Sequence, residues 1–174
     1  MKALLPKLDP ADMPFPAVWD PSRYGVLFLA RGYDEDPVQQ EIVEGLAVAG
    51  ITLRPIEAGA KQARAGVQRI LRGAGQTALA QAAAKIKGAS TIEPGHSDLA
   101  GNLAPLGRGL YFEVKRPAHI VRGKTLRRAG VPTTEQLAFL LARHSEGCIV
   151  GVVWSLSDVI HLISAAERAT KRGA

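Results

Sequence analysis

Cysteine is almost absent. Cys148 is the only one in 174 residues, so no intrachain disulfide can form and no thiolate set can hold zinc. It sits in Gly-Cys-Ile-Val-Gly-Val-Val-Trp, an apolar, strand-like setting that predicts a buried structural thiol rather than a nucleophile. The four histidines, His96, His119, His144 and His161, have no cysteine partners at zinc spacing. Long apolar runs are missing too. Nothing approaches the roughly 20 residues of a membrane-spanning helix, and residues 1–10 lack a secretory apolar stretch, which predicts a cytoplasmic protein with no membrane partner. A phosphate-binding glycine loop is also lacking, because Gly73-Ala-Gly75 follows no strand and precedes no Lys-Ser/Thr.

Acidic residues are scarce in the middle of the chain. Between Arg54 and Arg128 fourteen Lys and Arg face four acids (Glu57, Glu93, Asp98 and Glu113), a net +10, which leaves −4 for the rest of a chain whose total is +6. Such a regional excess suits a phosphate backbone, although a merely soluble basic surface would look alike. Asp98 and Glu113 fall in or beside expected strands of this segment. Carboxylates on a phosphate-attracting surface repel the ligand unless a cation intervenes, and a divalent metal is the simplest such cation.

What is present divides readily. Residues 1–30 read as an irregular arm rich in Pro and Asp, with a short apolar run at 24–30 that could add a strand. Acids at the start and Pro37 near the first turn predict a helix from about 35 to 49, burying Val38, Ile42, Val43 and Leu46 and stopped by Gly50; a half-buried strand follows at 51–56. Residues 61–90 read as a helical, basic insertion, with Val67, Ile70 and Leu71 packing and Arg64, Arg69, Arg72, Lys85 and Lys87 as candidate nucleic-acid contacts or simply a solvated face. Asp98 opens a short strand, a turn follows at 107–109, and the strand carrying Glu113 returns as a hairpin. Residues 116–130 read as a basic loop whose Arg116, Arg122, Lys124, Arg127 and Arg128 would hold a backbone. A helix from Pro132 buries Leu137, Leu140 and Leu141. Its Thr133 and Gln136 have capping-box spacing, a sufficient structural reason for the glutamine. A buried strand at 148–154, a helix from Ser157 to about Ala166 and a charged tail at 167–174 complete an α/β order.

The densest chemistry lies in Gly109-Leu-Tyr-Phe-Glu-Val-Lys-Arg-Pro117. On a strand, positions i and i+2 share a face, so Glu113 and Lys115 project together while Phe112 and Val114 turn away. Taken alone, such a pair is more often a solvated ion pair on an edge strand. The order in which its neighbours follow changes that balance: Asp98, then Glu113-x-Lys115, then Thr134-Glu-Gln136-x-x-Phe139-Leu140, then a glycine, a strand and Ser155-x-Ser-Asp-Val159.

This series, over roughly residues 35–163, resembles the VRR-NUC family of PD-(D/E)xK nucleases. The resemblance implies one domain over 31–166 with a restriction-endonuclease-like core, a central mixed β-sheet flanked by helices. It makes Asp98 and Glu113 ligands of a Mg²⁺ or Mn²⁺ ion, with the Val114 carbonyl as a third oxygen. Lys115 becomes the lysine that orients or deprotonates water and stabilises charge, and Gln136 the helix glutamine near the site. An acid opening the first helix completes the set, Glu35 fitting better than Glu41. Ser97 stands where proline is typical, and the insertion and the 116–130 loop are long. The implied activity is a DNA endonuclease, acting as a homodimer on branched DNA such as a four-way junction. An inactive basic nucleic-acid-binding module is the alternative.

Overall fold

Alternating apolar residues build the centre of the molecule. In a computed structural model that describes residues 6–23, 35–56, 69–70, 72–79, 95–104 and 106–173, β1 (Leu53–Pro55), β2 (Leu99–Leu103), β3 (Arg108–Val114) and β6 (Ile149–Val153) form one sheet in the order β1-β2-β3-β6. β1 pairs antiparallel to β2 and β2 to β3, whereas β3 and β6 run parallel, so the sheet is mixed. Among the described residues three helices flank it: α1 (Glu35–Val48), α2 (Thr134–Ser145) and α3 (Leu156–Gly173). The expected mixed α/β architecture is therefore present.

The two faces of the sheet bury different partners. Leu99, Leu103, Leu110, Phe112, Val114, Ile149 and Val153 point to one side, where Val38, Ile42 and Leu46 of α1 and Val159 and Ile163 of α3 cover them. On the other side Val150, Val152 and Trp154 pack under Leu137, Phe139 and Leu140 of α2 and under Phe15 and Ala17. The period of two along β3 thus sends Phe112 and Val114 to the α1–α3 side and Tyr111 and Glu113 to the α2 side. Burial of a polar residue there needs a partner, which the site supplies.

Several sequence expectations change. Phe15 and Ala17 anchor the arm in the second core, and the Val152 N–H donates to the Pro16 carbonyl at 2.9 Å, so this irregular segment is packed rather than loose. Residues 116–130 are a β-hairpin, not a loop: β4 (His119–Val121) pairs with β5 (Lys124–Arg127). Arg122 and Gly123 turn it with φ of 48° and 74°, the left-handed pair of a two-residue hairpin turn. The last helix runs to Gly173 instead of ending near Ala166. The strand expected at 51–56 shrinks to Leu53–Pro55, where Pro55 suits a strand edge. Cys148 is half-buried against the second core, and Ile70 is exposed rather than packed. The strand suggested at 24–30, and Arg64, Val67, Leu71, Lys85 and Lys87 of the insertion, lie outside the described residues.

Candidate active site

Strand register brings the two carboxylates together. Leu99 pairs with Phe112, and continuing that antiparallel register by one step sets Asp98 opposite Glu113, on the α2 side of both strands. Asp98 lies just before β2 and is held from three directions. Its carbonyl accepts from the Ile56 N–H at 3.0 Å and from the Gln39 amide at 3.3 Å, and its carboxylate accepts the Val114 N–H at 2.9 Å. The Lys115 N–H donates to Val153 of β6, so the main-chain polar groups of Val114 point the other way, toward Asp98. The Val114 carbonyl therefore faces the Asp98 side of the strand.

Glu113 is completely buried on an interior strand, which rules out the solvated edge pair. Its Oε1 accepts from both the Lys115 ammonium and the Gln136 side-chain amide, while its Oε2 is buried with no hydrogen-bond partner. Lys115 is itself buried, with the Glu35 carboxylate 4.0 Å from Nζ. Glu35 opens α1 and is about half exposed, at the rim of the site. Glu41 is exposed one and a half turns further along α1, so Glu35 is the first-helix acid that reaches the lysine.

Gln136 reconciles the two explanations open to it. Its Oε1 accepts the Thr133 N–H at 2.8 Å and its own N–H donates to Thr133 Oγ1, closing the capping box, while its Nε2 remains to donate to Glu113. One amide caps the helix and holds the carboxylate. Gly95, with φ of +84°, lets the chain pass against the start of α2; a Cβ there would run into the Glu135 carbonyl.

Burial, more than any neighbour, shifts the acids. It pushes the Glu113 carboxyl up to about 8, helped by the Asp98 charge and opposed by Lys115. Two donors on Oε1 favour the anion, yet burial outweighs them, and a proton held on Glu113 is shared with the Asp98 carboxylate. Asp98 is likewise raised by burial, against Lys115, Glu113 and the Val114 N–H. Burial pulls Lys115 down, but Glu113, Asp98 and Glu35 together raise it, so the lysine stays an ammonium. In that form it donates hydrogen bonds and positive charge.

Among the described residues no group of three or more His, Cys, Asp or Glu side chains could hold a metal ion. Two carboxylates, a main-chain carbonyl and waters form the sparser donor set of a hard cation such as Mg²⁺, and a buried carboxylate oxygen that no donor reaches fits such an ion. No protein-family model, curated protein or solved structure matches the chain.

Of the basic residues singled out in sequence, Arg122, Lys124 and Arg128 are exposed on or beside the hairpin, and Arg116 and Arg127 are partly buried at its root. Arg69 and Arg72 are exposed on a short helical stretch. Among the described residues no helix is long and apolar enough to cross a membrane. Two positioning residues were given no role at the site from the sequence. Gln39 lies four residues after Glu35, one helical turn on, and that spacing was its signal. Gly95 had only the general mark of glycine before a strand.

Proposed function

We propose that this chain is a metal-dependent DNA endonuclease with a PD-(D/E)xK core of the VRR-NUC kind. One observation carries the reading: Asp98 and Glu113 face each other across paired strands while Lys115 and Gln136 both donate to one oxygen of Glu113 and no donor reaches the other. Asp98, Glu113 and the Val114 carbonyl would hold Mg²⁺ or Mn²⁺, which supplies a water-derived nucleophile and offsets charge on the phosphate.

The remaining work falls to the chain's own groups. The Val114 N–H and Gln136 fix the two carboxylates so that neither must reorient. Lys115, kept protonated, places a fixed positive charge where negative charge grows on the phosphoryl oxygens. Glu35, at the mouth, is able to orient water beside it. The exposed hairpin bases, with no acid between residues 116 and 130, would hold the DNA backbone. The resemblance extends this to a homodimer on branched DNA, in which twofold-related sites would cut paired strands.

Labelled linear, flap and four-way-junction DNA incubated with Mg²⁺, Mn²⁺ or EDTA tests the reading. Cutting is expected only with metal, and Glu113→Gln and Lys115→Ala should each lower its rate by about 10²–10³-fold. Binding without metal-dependent cutting of any substrate would leave a nucleic-acid-binding module instead.

A further inference from the structure

The chain has two tryptophans, Trp19 and Trp154, and both line one cavity of about 370 Å³ between the N-terminal arm and the root of the β4–β5 hairpin. Ala17, Ala118 and Trp154 are its buried floor, Trp19 is a half-buried wall, and Val18 and Val131 are 55% and 69% exposed where it opens. The cavity adjoins the candidate active site through Gly130. That residue lines the cavity, donates its N–H to the Arg116 carbonyl at 2.9 Å and accepts from Trp154 Nε1 at 3.1 Å. It also abuts the catalytic lysine: a Cβ on Gly130 would stand 3.2 Å from Lys115 Cβ and 3.3 Å from Cδ. A single residue therefore separates the cavity from Lys115.

We propose that this cavity receives one unstacked nucleobase of the strand whose phosphate lies at Asp98, Glu113 and Lys115. The inference rests on the nuclease reading and names the feature of the substrate that the site selects. Charge distinguishes a base from a phosphate here. The lining is mainly apolar, and its charged members, Arg128 and Asp9, cancel; Asp9 also accepts the Ala11 N–H as a turn cap. The surrounding hairpin, by contrast, carries only positive charge. A neutral, flat, apolar ring suits the inside, and its phosphates suit the surround. Stacking on an aromatic side chain tolerates any base, so the cavity would select DNA shape rather than sequence. A base at a branch point or in a single strand has already lost part of its stacking and costs least to seat.

Because both tryptophans line the cavity, intrinsic fluorescence reports on it directly. The full-length chain is titrated in EDTA with a blunt duplex, the same duplex bearing a short unpaired stretch, and that stretch with one abasic position. Anisotropy of labelled DNA reads total binding, and tryptophan emission reads the cavity. Unpaired bases should quench tryptophan emission and bind more tightly than the blunt duplex, whereas the blunt duplex should bind without quenching. Trp19→Ala should reduce the preference for unpaired over blunt DNA by about 5- to 150-fold while duplex binding persists. Val131→Glu, placed at an exposed position, should do the same without disturbing the core. DNA binding with no quenching by any substrate, no DNA binding at all, or an unchanged preference in both variants overturns the proposal. So does sedimentation showing that Val131→Glu only dissociates a dimer, since the cavity would then seat a second copy. The nuclease reading fails separately: quenching without metal-dependent cutting keeps the cavity and removes the enzyme, and cutting without quenching does the reverse.

Discussion

Raising the pH of the cation-free protein should destabilise it through one residue, Glu113. Its carboxyl is pushed from an ordinary 4.5 up to about 8 in the fold. Between those values the folded chain keeps a proton that the unfolded chain has released, so stability falls as pH rises through this window and levels off above it. A gap of about 3.5 units at roughly 1.4 kcal/mol each sets about 5 kcal/mol as the largest drop. At roughly 2–4 °C per kcal/mol for a chain of this size, Tm should fall by up to about 10–20 °C. Asp98 is raised too and acts in the same direction. Lys115 is raised above 10.5, so it titrates outside the window. Glu113→Gln, which cannot ionise, should lose most of the slope. A divalent cation bound as proposed would have to displace the Glu113 proton, so Mn²⁺ affinity should rise about tenfold per pH unit up to about pH 8 and then flatten. Circular-dichroism melts with EDTA and with Mn²⁺, for wild type and Glu113→Gln, read both effects. Equal pH slopes in the two proteins would refute the assignment of that proton to Glu113.

Gln136→Glu should keep the capping box while setting a like charge on Glu113, so Tm changes little near pH 6 whereas metal-dependent cleavage falls by at least about tenfold; Gln136→Ala should lose both, with roughly 1 kcal/mol of stability. Loss of cleavage in neither variant would remove Gln136 from the site. Gly95→Ala adds a Cβ against the Glu135 carbonyl at a left-handed position, and chemical denaturation should show a loss of about 1–3 kcal/mol; an unchanged midpoint would contradict that close approach. Arg122→Ala with Lys124→Ala removes two exposed charges from the hairpin and should flatten the slope of log affinity for duplex DNA against log salt by up to about 1.8, with folding intact. An unaltered slope would take DNA off the hairpin.

The legible parts of this chain are those written in short-range periodicity. The alternation at 109–115 and the capping spacing of Thr133 and Gln136 each specify a local geometry, and β3 and α2 follow it. Asp98 was legible as a residue type in a basic segment, but its place opposite Glu113 depends on a strand register that is set by the Gly107 N–H closing on the Leu103 carbonyl and by burial of Leu99 and Leu103. Phe15 and Ala17 were hidden because an irregular segment rich in proline has no period to betray a buried face. The hairpin at 119–127 was hidden because its turn uses Arg122 where Asn is usual, and Arg gives no warning of a left-handed backbone. Glu35 and Glu41 both mark α1 as acidic; only the position of Lys115 relative to the first turn separates them.

Gln136 shows why a structural explanation and a chemical one need not compete. A capping amide uses its oxygen and leaves its two N–H donors unspent, so a glutamine at the third helical position carries a second hydrogen bond at no cost to the cap. Glutamate could close the same box and would present only acceptors to Glu113. Fixing the glutamine at both ends removes its rotamer freedom on folding rather than on substrate binding, which leaves the buried carboxylate positioned before any ligand arrives. The same economy applies to Gly130, whose main chain ties the hairpin to Trp154 while its bare α-carbon leaves room for the stem of Lys115. Replacing either residue therefore disturbs a local structural contact and a position in the candidate site together, and stability and cleavage measured on the same variant are needed to separate the two.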